Sequence, residues 1–236
     1  MWYTGNIQCQ DMKSIIIPAY NEETRIKRAI ENLIEGFPGQ EIIVVCDGED
    51  NSDDIIKSFS VRYPNIRLLC FGSRLGKGGA LIQGLRVAEG KEICFVDADE
   101  SVSIDDLKGM FQALHGVDGV IASRRLKRSK ILIKQPIQRR LASRVFNIFV
   151  RMLFSLPYED TQCGAKVFKQ EVILNILNDL KTTGFETDVE ILWRLRKRGY
   201  RIREYPISWK HSERTKFKLS DSKGMLISLI RTRFSR

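Results

Sequence analysis

The chain has 236 residues, of which 43% are hydrophobic and 29% charged, an ordinary globular composition able to bury a sizeable core in one large or two small domains. Its longest apolar run falls far short of the ~20 residues that a membrane-spanning helix needs, and residues 1–12 lack the basic-then-apolar pattern of a secretory signal. A formal net charge of +10 calls for an anionic partner: nucleic acid, a membrane surface or a phosphorylated substrate.

The first 120 residues alternate strand and helix signals. Ser14 to Ile17 reads as a buried strand stopped by Pro18, and residues 22–35 carry helical periodicity through Ile26, Ala29, Ile30, Leu33 and Ile34 up to Gly36. Glu41 to Cys46 is a second strand, 52–63 a helix capped by Ser52 or Asp53, and Ile66 to Phe71 a third strand. Gly78 to Ala88 and Ile104 to Leu114 are helices around a fourth strand, Ile93 to Val96, and Gly119 to Ala122 is a fifth strand. Apolar strands alternating with helices predict an α/β, mostly parallel, doubly wound sheet. The five cysteines (9, 46, 70, 94 and 163) have no Cys-x-x-Cys spacing, and 46, 70 and 94 lie in or beside apolar runs, as reduced core thiols do.

The pattern changes after Ser123. Residues 124–151 hold ten arginines and lysines and no acidic residue. Residues 124–135 read as a basic loop. A helix from Pro136 to about Leu156 follows, with a polar stripe of Arg140, Arg144, Asn147 and Arg151. Its apolar stripe holds Ile137, Leu141, Val145, Ile148, Phe149, Met152 and Phe154. A basic amphipathic helix of this kind lies in a membrane interface, and the same periodicity also suits a helix packed on its own domain. Residues 187–198 read as a helix, 201–209 as a strand ending in Trp209, and about 223–234 as a second apolar-basic interface helix.

Four loops carry candidate ligand contacts, each after one of the first four strands. Pro18, Ala19, Tyr20 and Glu22 form a corner where Tyr20 and backbone could hold a flat base, and acids suit the helix start. Asp47 follows the second strand and can accept from a base N–H. The Gly76-Lys77-Gly78-Gly79 stretch lets backbone approach a ligand, and Lys77 can meet a phosphate, although the P-loop spacing is absent. Asp97-Ala98-Asp99 ends the fourth strand with two carboxylates one residue apart. Such a pair can hold a hard divalent cation together with substrate phosphates. Ligands bind at the carboxyl ends of strands in such sheets, so the four loops together indicate a nucleotide and a metal.

These residues resemble glycosyltransferase family 2, with its GT-A fold, and most of all the polyprenyl (dolichyl) phosphate sugar synthases. The matching stretches are Ile17 to Glu23, Asp47-Gly48, Gly76 to Leu81, Val96 to Asp99, Ser123-Arg124, Asp160 to Lys166, and Phe185 with Asp188 to Glu190. Asp160-Thr161-Gln162-Cys163-Gly164 is similar to the dolichyl-phosphate glucose synthase branch. The resemblance covers nearly the whole chain in order, as one domain with a nucleotide-sugar half (1–123) and an acceptor half (124–236).

The resemblance implies an inverting, metal-dependent transfer from a UDP- or GDP-sugar, UDP-glucose foremost, to a polyprenyl phosphate. Asp47 would contact the base, Asp97 the ribose or metal shell, and Asp99 the Mg²⁺ or Mn²⁺ on the diphosphate. Ser101 stands where relatives often carry a metal-assisting Gln. Arg124, Arg139 and Ser143 would hold the acceptor phosphate, with Asp160, Gln162, Asp188 and Glu190 on the acceptor side. Arg214 and Lys216 would reach the donor phosphates from a loop. The implied location is peripheral, on the cytoplasmic face of an anionic membrane, with room for a membrane-protein partner or a homo-oligomer. The two histidines, His115 and His211, are expected away from the site.

Three rivals remain. A soluble-acceptor enzyme of the same fold would need a carboxylate base, Asp160 or Asp188. A nucleotidyltransferase would need a Gly-rich N-terminal signature that is missing here. A nucleic-acid binder would interleave aromatics with the basic loop, which this chain does not.

Overall fold

A computed structural model describes residues 12–133, 135–211 and 221–234, the last stretch without the side chains of 221–223. In chain order the elements are β1 (Lys13–Ala19), α1 (Ile26–Gly36), β2 (Glu41–Cys46), α2 (Ser52–Arg62), β3 (Ile66–Cys70), α3 (Gly76–Val87), β4 (Glu92–Phe95), α4 (Ile104–Ala113), β5 (Gly119–Ser123), β6 (Lys130–Ile133), α5 (Ile137–Phe154), β7 (Lys166–Lys169), α6 (Gln170–Leu177), α7 (Thr187–Lys197), β8 (Ile202–Pro206), β9 (Ser208–Lys210) and α8 (Asp221–Phe234).

Seven strands form one sheet in the order β3-β2-β1-β4-β7-β5-β8. All neighbours run parallel except β7, which is antiparallel to both β4 and β5. The alternation along β1 and β2 divides the interior. Ile15, Ile17, Ile42 and Val44 face a core shared with α1, α2 and α4, whereas Ile16, Ile43 and Val45 face one shared with α3, α6 and α7. A sheet covered on both faces needs continuous apolar strands, which is why all six residues of β2 are buried.

Chain order reverses at β1, between β2 on one side and β4 on the other. That is the switch point where open α/β sheets bind ligands. The turns after β1 and β4 deliver Tyr20 and Asp97 to Asp99 there. Two backbone positions fix these turns. Asn21 and Glu100 both adopt left-handed φ values, 53° and 52°, and Glu100 pairs with Asn32 and Arg28 of α1.

Several sequence expectations are corrected. The helix expected from residue 22 begins at Ile26, because Glu22 to Arg25 forms a turn in which the Arg25 and Ile26 amides donate to the Glu22 carbonyl. The basic stretch 124–135 is not all loop: Lys130–Ile133 pairs in parallel with Ser208–Lys210. The expected 201–209 strand is therefore two strands in two sheets. Strand β7 and helix α6 escaped the sequence reading; four residues with a wholly buried Lys166 carry no strand signature. Cys70 is exposed rather than in the core, since it lies at the end of the edge strand, while Cys46, Cys94 and Cys163 are buried thiols. Cys9 lies outside the described residues.

Helix α5 departs most from expectation. Its inward face holds Asn147, Val150 and Phe154. Asn147 of the expected polar stripe is buried, donating to the Glu159 carbonyl (2.9 Å) and accepting from the Thr161 hydroxyl (3.1 Å). Ile137, Leu141, Val145, Ile148 and Met152 point outward, 54% to 78% exposed. Of the expected apolar stripe, Phe149 and Phe154 turn toward the core. Packing of the whole stripe on the domain is thereby excluded. Among the described residues no helix is long and apolar enough to cross a membrane.

Candidate active site

Two cavities open at the carboxyl ends of the central strands. The first is lined by Pro18, Ala19, Tyr20, Glu22, Asp47, Arg74, Ala98 and neighbours. The second is lined by Ser101, Arg124, Gln135, Arg139, Ser143, Gln162, Trp209 and His211 among others. They share Lys77, Asp97, Asp99 and Phe185. The structure thus brings most of the expected donor residues into one cavity and most of the expected acceptor residues into the other, with the Asp-x-Asp pair at the junction.

A chain of alternating charges holds the junction. Lys77 Nζ lies 2.8 Å from Asp97 Oδ1 and 3.4 Å from Asp188 Oδ2. Asp188 Oδ1 also accepts from Lys166 Nζ at 2.6 Å. Burial disfavours the Lys77 charge, but Asp188 and Asp97 outweigh it and hold the ammonium above the usual lysine range. Burial likewise opposes ionised Asp188, yet Lys166 and Lys77 hold its carboxyl below the carboxylate range. Burial lifts the Asp97 carboxyl, Lys77 opposing and Asp99 reinforcing the rise. Gly164 permits this packing, since a Cβ there would sit 2.0 Å from Asp97 Oδ2.

Asp97 and Asp99 offer hard oxygens at the point common to both cavities, a donor set that fits a magnesium-like cation completed by phosphate oxygens. Among the described residues no group of three or more His, Cys, Asp or Glu side chains could hold a metal ion. Ser101 is buried beside the pair, and its backbone N–H donates to Asp99 Oδ1 at 3.0 Å.

The glycine stretch serves a different purpose from the one its sequence suggests. Asp47 Oδ2 accepts from the Leu75 and Gly76 amides (2.8 and 2.9 Å). The Thr183 carbonyl accepts from those of Gly78 and Gly79 (2.8 and 3.0 Å). The helix start is therefore closed by protein rather than left open as a phosphate cradle. Gly76 takes a left-handed φ of 76°, and a Cβ on Gly78 would lie 1.8 Å from Thr187 Oγ1. Glu190 fixes the same loop. It is fully buried and accepts from the Lys181 and Thr182 amides and from Arg194, so it does not line the second cavity, although it was expected on the acceptor side.

Beside the second cavity, Asp160 is buried and grips Arg124 through Nε (2.7 Å) and Nη2 (2.8 Å). Burial opposes its charge but Arg124 prevails, holding the carboxyl low. Asp160 does not line the cavity; it orients Arg124, whose guanidinium also faces the Trp209 ring at 5.3 Å. Glu22 is similarly engaged, pairing with Arg25 Nε at 2.7 Å. Arg74 lies 3.2 Å from the Tyr20 ring centroid, over the face expected to receive a base.

His211, expected away from the site, lines the second cavity. The β6–β9 pairing carries it and Trp209 there, a long-range contact that no local pattern reveals. His115 is not among the lining residues. Arg214 and Lys216 lie outside the described residues.

A mostly parallel sheet with a reversed chain order, cut by one antiparallel strand and bearing an Asp-x-Asp turn at its switch point, defines a GT-A glycosyltransferase. The chain belongs to glycosyl transferase family 2, whose family model matches residues 14–177. It is 30% identical over 240 residues to a dolichyl-phosphate beta-glucosyltransferase of Dictyostelium discoideum, covering 94% of this chain and 73% of that one. It is 31% identical over 242 residues to the enzyme of the same name from Saccharomyces cerevisiae, covering 92% and 72%. The fold matches glucosyl-3-phosphoglycerate synthase from Mycobacterium tuberculosis, solved with Mn²⁺, uridine diphosphate and glucosyl-3-phosphoglycerate. That match has a TM-score of 0.66 and 17% identity, over 99% of this chain and 86% of that one. It also matches a mannosyltransferase from Pyrobaculum calidifontis in complex with GDP-mannose and Mn²⁺, with a TM-score of 0.63 and 19% identity, over 95% and 63%.

Proposed function

We propose that this chain moves glucose from UDP-glucose to the phosphate of a polyprenyl lipid, with inversion, in a divalent-cation-dependent reaction at a membrane surface. The observation that carries this reading is the meeting of two cavities at Lys77, Asp97 and Asp99, the second cavity lined by Arg124 and Arg139. The relatives named as dolichyl-phosphate beta-glucosyltransferases support the sugar, the lipid and the β-linkage of the product. The exposed apolar residues of α5, with Ile227, Ile230 and Phe234 of α8, support a peripheral membrane seat. The reading treats 1–236 as one domain whose donor and acceptor halves share a sheet, β7 being inserted between β4 and β5.

In this mechanism the nucleotide occupies the first cavity, its base near Asp47 and Tyr20. Asp97 and Asp99 would hold Mg²⁺ or Mn²⁺, which when bound neutralises the diphosphate leaving group. Lys77 adds a buried positive charge at the junction. Arg139 and Ser143, with Arg124 oriented by Asp160, hold the acceptor phosphate. A phosphate oxygen attacks the anomeric carbon as its bond to the diphosphate breaks, so an α-linked donor gives a β-linked product. The acceptor phosphate is already anionic at neutral pH, its second pKa being about 6. Positioning and charge stabilisation therefore dominate, and no strong base is required. The carboxylates argue the same way against a soluble-alcohol acceptor. Asp160 is locked to Arg124, and Asp188 sits between two lysines.

The test is a panel of radiolabelled UDP- and GDP-sugars offered with polyprenyl phosphate in detergent, with and without Mn²⁺. UDP-glucose is expected to label an acid-labile lipid, and Asp99→Ala to reduce this on the order of a hundredfold or more. Labelling from GDP-mannose or UDP-N-acetylglucosamine instead would reassign the donor. Metal-free transfer, or turnover untouched in Asp99→Ala, would reject the site.

A further inference from the structure

A third cavity lies beside the acceptor cavity, on the other side of the shared wall formed by Arg124, Gln135, Ser143 and Trp209. Arg125, Arg140 and Arg144 line it, with Ile131 of β6 at its edge. Arg124 is neutralised by Asp160. Among the described residues, Arg125, Arg140 and Arg144 have no carboxylate within ion-pair distance. Arg125 is half-buried and its Nη2 donates to the Ser143 carbonyl (3.2 Å) and hydroxyl (3.3 Å). This bond ties the loop after β5 to α5, and Arg125 lines the same cavity as the two helix arginines. Burial, and after it the neighbouring cations Arg124, Arg144 and Arg151, push the Arg125 guanidinium below its usual range against the opposing charge of Asp160. Three arginines around one cavity, Arg125 half-buried and Arg140 and Arg144 exposed on the helix, offer fork-shaped donors that match phosphate oxygens.

We propose that Arg125, Arg140 and Arg144 form a second anion site that binds a phosphate group separately from the reaction centre. Its place beside the exposed apolar faces of β6 and α5 makes the headgroup of an anionic phospholipid one source of that phosphate; a free phosphate compound is the other. The site needs no assumption about which sugar is transferred. It rests on the Proposed function only for the neighbouring placement of the acceptor phosphate at Arg139.

The experiment measures saturable binding of inorganic phosphate to the full chain by calorimetry, and binding to phosphatidylcholine vesicles with and without phosphatidylglycerol. Wild type is expected to take two equivalents of phosphate. R140Q/R144Q should lose one of them, weakening it at least tenfold. K127Q/R128Q, two exposed cations outside the cavity, should keep both. R139Q should lose the other equivalent, and its failure to do so would count against the acceptor reading alone. If the source is a headgroup, R140Q/R144Q should also lose on the order of thirtyfold in affinity for the anionic vesicles, each arginine at such a surface being worth about fivefold, and more than K127Q/R128Q loses. Equal vesicle losses in the two variants, with the phosphate equivalent still missing in R140Q/R144Q, would assign the site to a free phosphate compound. Retention of both phosphate equivalents in R140Q/R144Q, or loss of a phosphate equivalent in K127Q/R128Q, would overturn the proposal.

Discussion

Asp188 shows how single residues combine structural and chemical roles. It is buried between Lys77 and Lys166, and those lysines hold its carboxyl below the unfolded value of about 3.9 against the opposing effect of burial. Asp160 is depressed in the same direction by Arg124. A carboxyl with a lowered folded pKa stabilises the protein fully above its unfolded pKa, and that stabilisation is lost as pH falls through the folded pKa. Acid destabilisation from these two residues is therefore expected below about pH 4. Asp188→Asn leaves the wholly buried Lys166 ammonium with the Cys163 carbonyl (2.7 Å) and no carboxylate, a change that costs roughly 3–5 kcal/mol. Denaturant unfolding from pH 2.5 to 7 should show a less stable variant with a shallower acid fall than wild type; parallel curves would contradict the assignment. At this scale the sequence was partly legible. The placement of the Asp-x-Asp pair at the mouth of the sheet could be read from its position after a strand. The role of the glycines could not, because residues 76–79 meet Thr183 and Thr187, partners far along the chain.

Helix α5 carries the lesson at the scale of elements. Its 3.6-residue periodicity gave the right helix within a residue or two, but periodicity alone does not say which stripe meets the core. Phe146, Asn147, Val150, Leu153 and Phe154 turn inward, and Asn147 goes with them because Glu159 and Thr161 satisfy its amide. Two substitutions separate the faces. Asn147→Ala should lower stability by roughly 1–3 kcal/mol, the cost of stranding buried polar groups. Val145→Ser with Ile148→Ser should leave the thermal midpoint almost unchanged while weakening vesicle association. Thermal unfolding and vesicle sedimentation measure the two effects, and the reverse pattern would mean that the outward stripe packs on protein. Strand β7 was illegible for a related reason. It is short, and its Lys166 is buried by a salt bridge rather than by hydrophobicity.

Across the whole molecule, the alternating pattern of residues 13–123 was enough to expect a parallel sheet with ligand loops at one edge. The insertion of antiparallel β7 between β4 and β5 was not, since strand order depends on contacts between distant segments. That insertion places Gly164 against Asp97 and, through the Lys166 salt bridge, anchors Asp188 beside Lys77. It thereby joins the parallel strands β1 to β4 to β5 and the arginine-bearing segment that follows it. The β6–β9 pair then brings Trp209 and His211 to the second cavity.

The central claim is that an anionic phosphate, not a base-activated hydroxyl, attacks at the junction of the two cavities. The most direct measurement compares transfer from UDP-glucose to a polyprenyl phosphate and to the matching polyprenol, each across a range of pH. The account predicts glucose on the phosphate only, β-linked, with a rate that levels off above the second phosphate pKa of about 6. Comparable transfer to the alcohol, or an α-linked product, would contradict it.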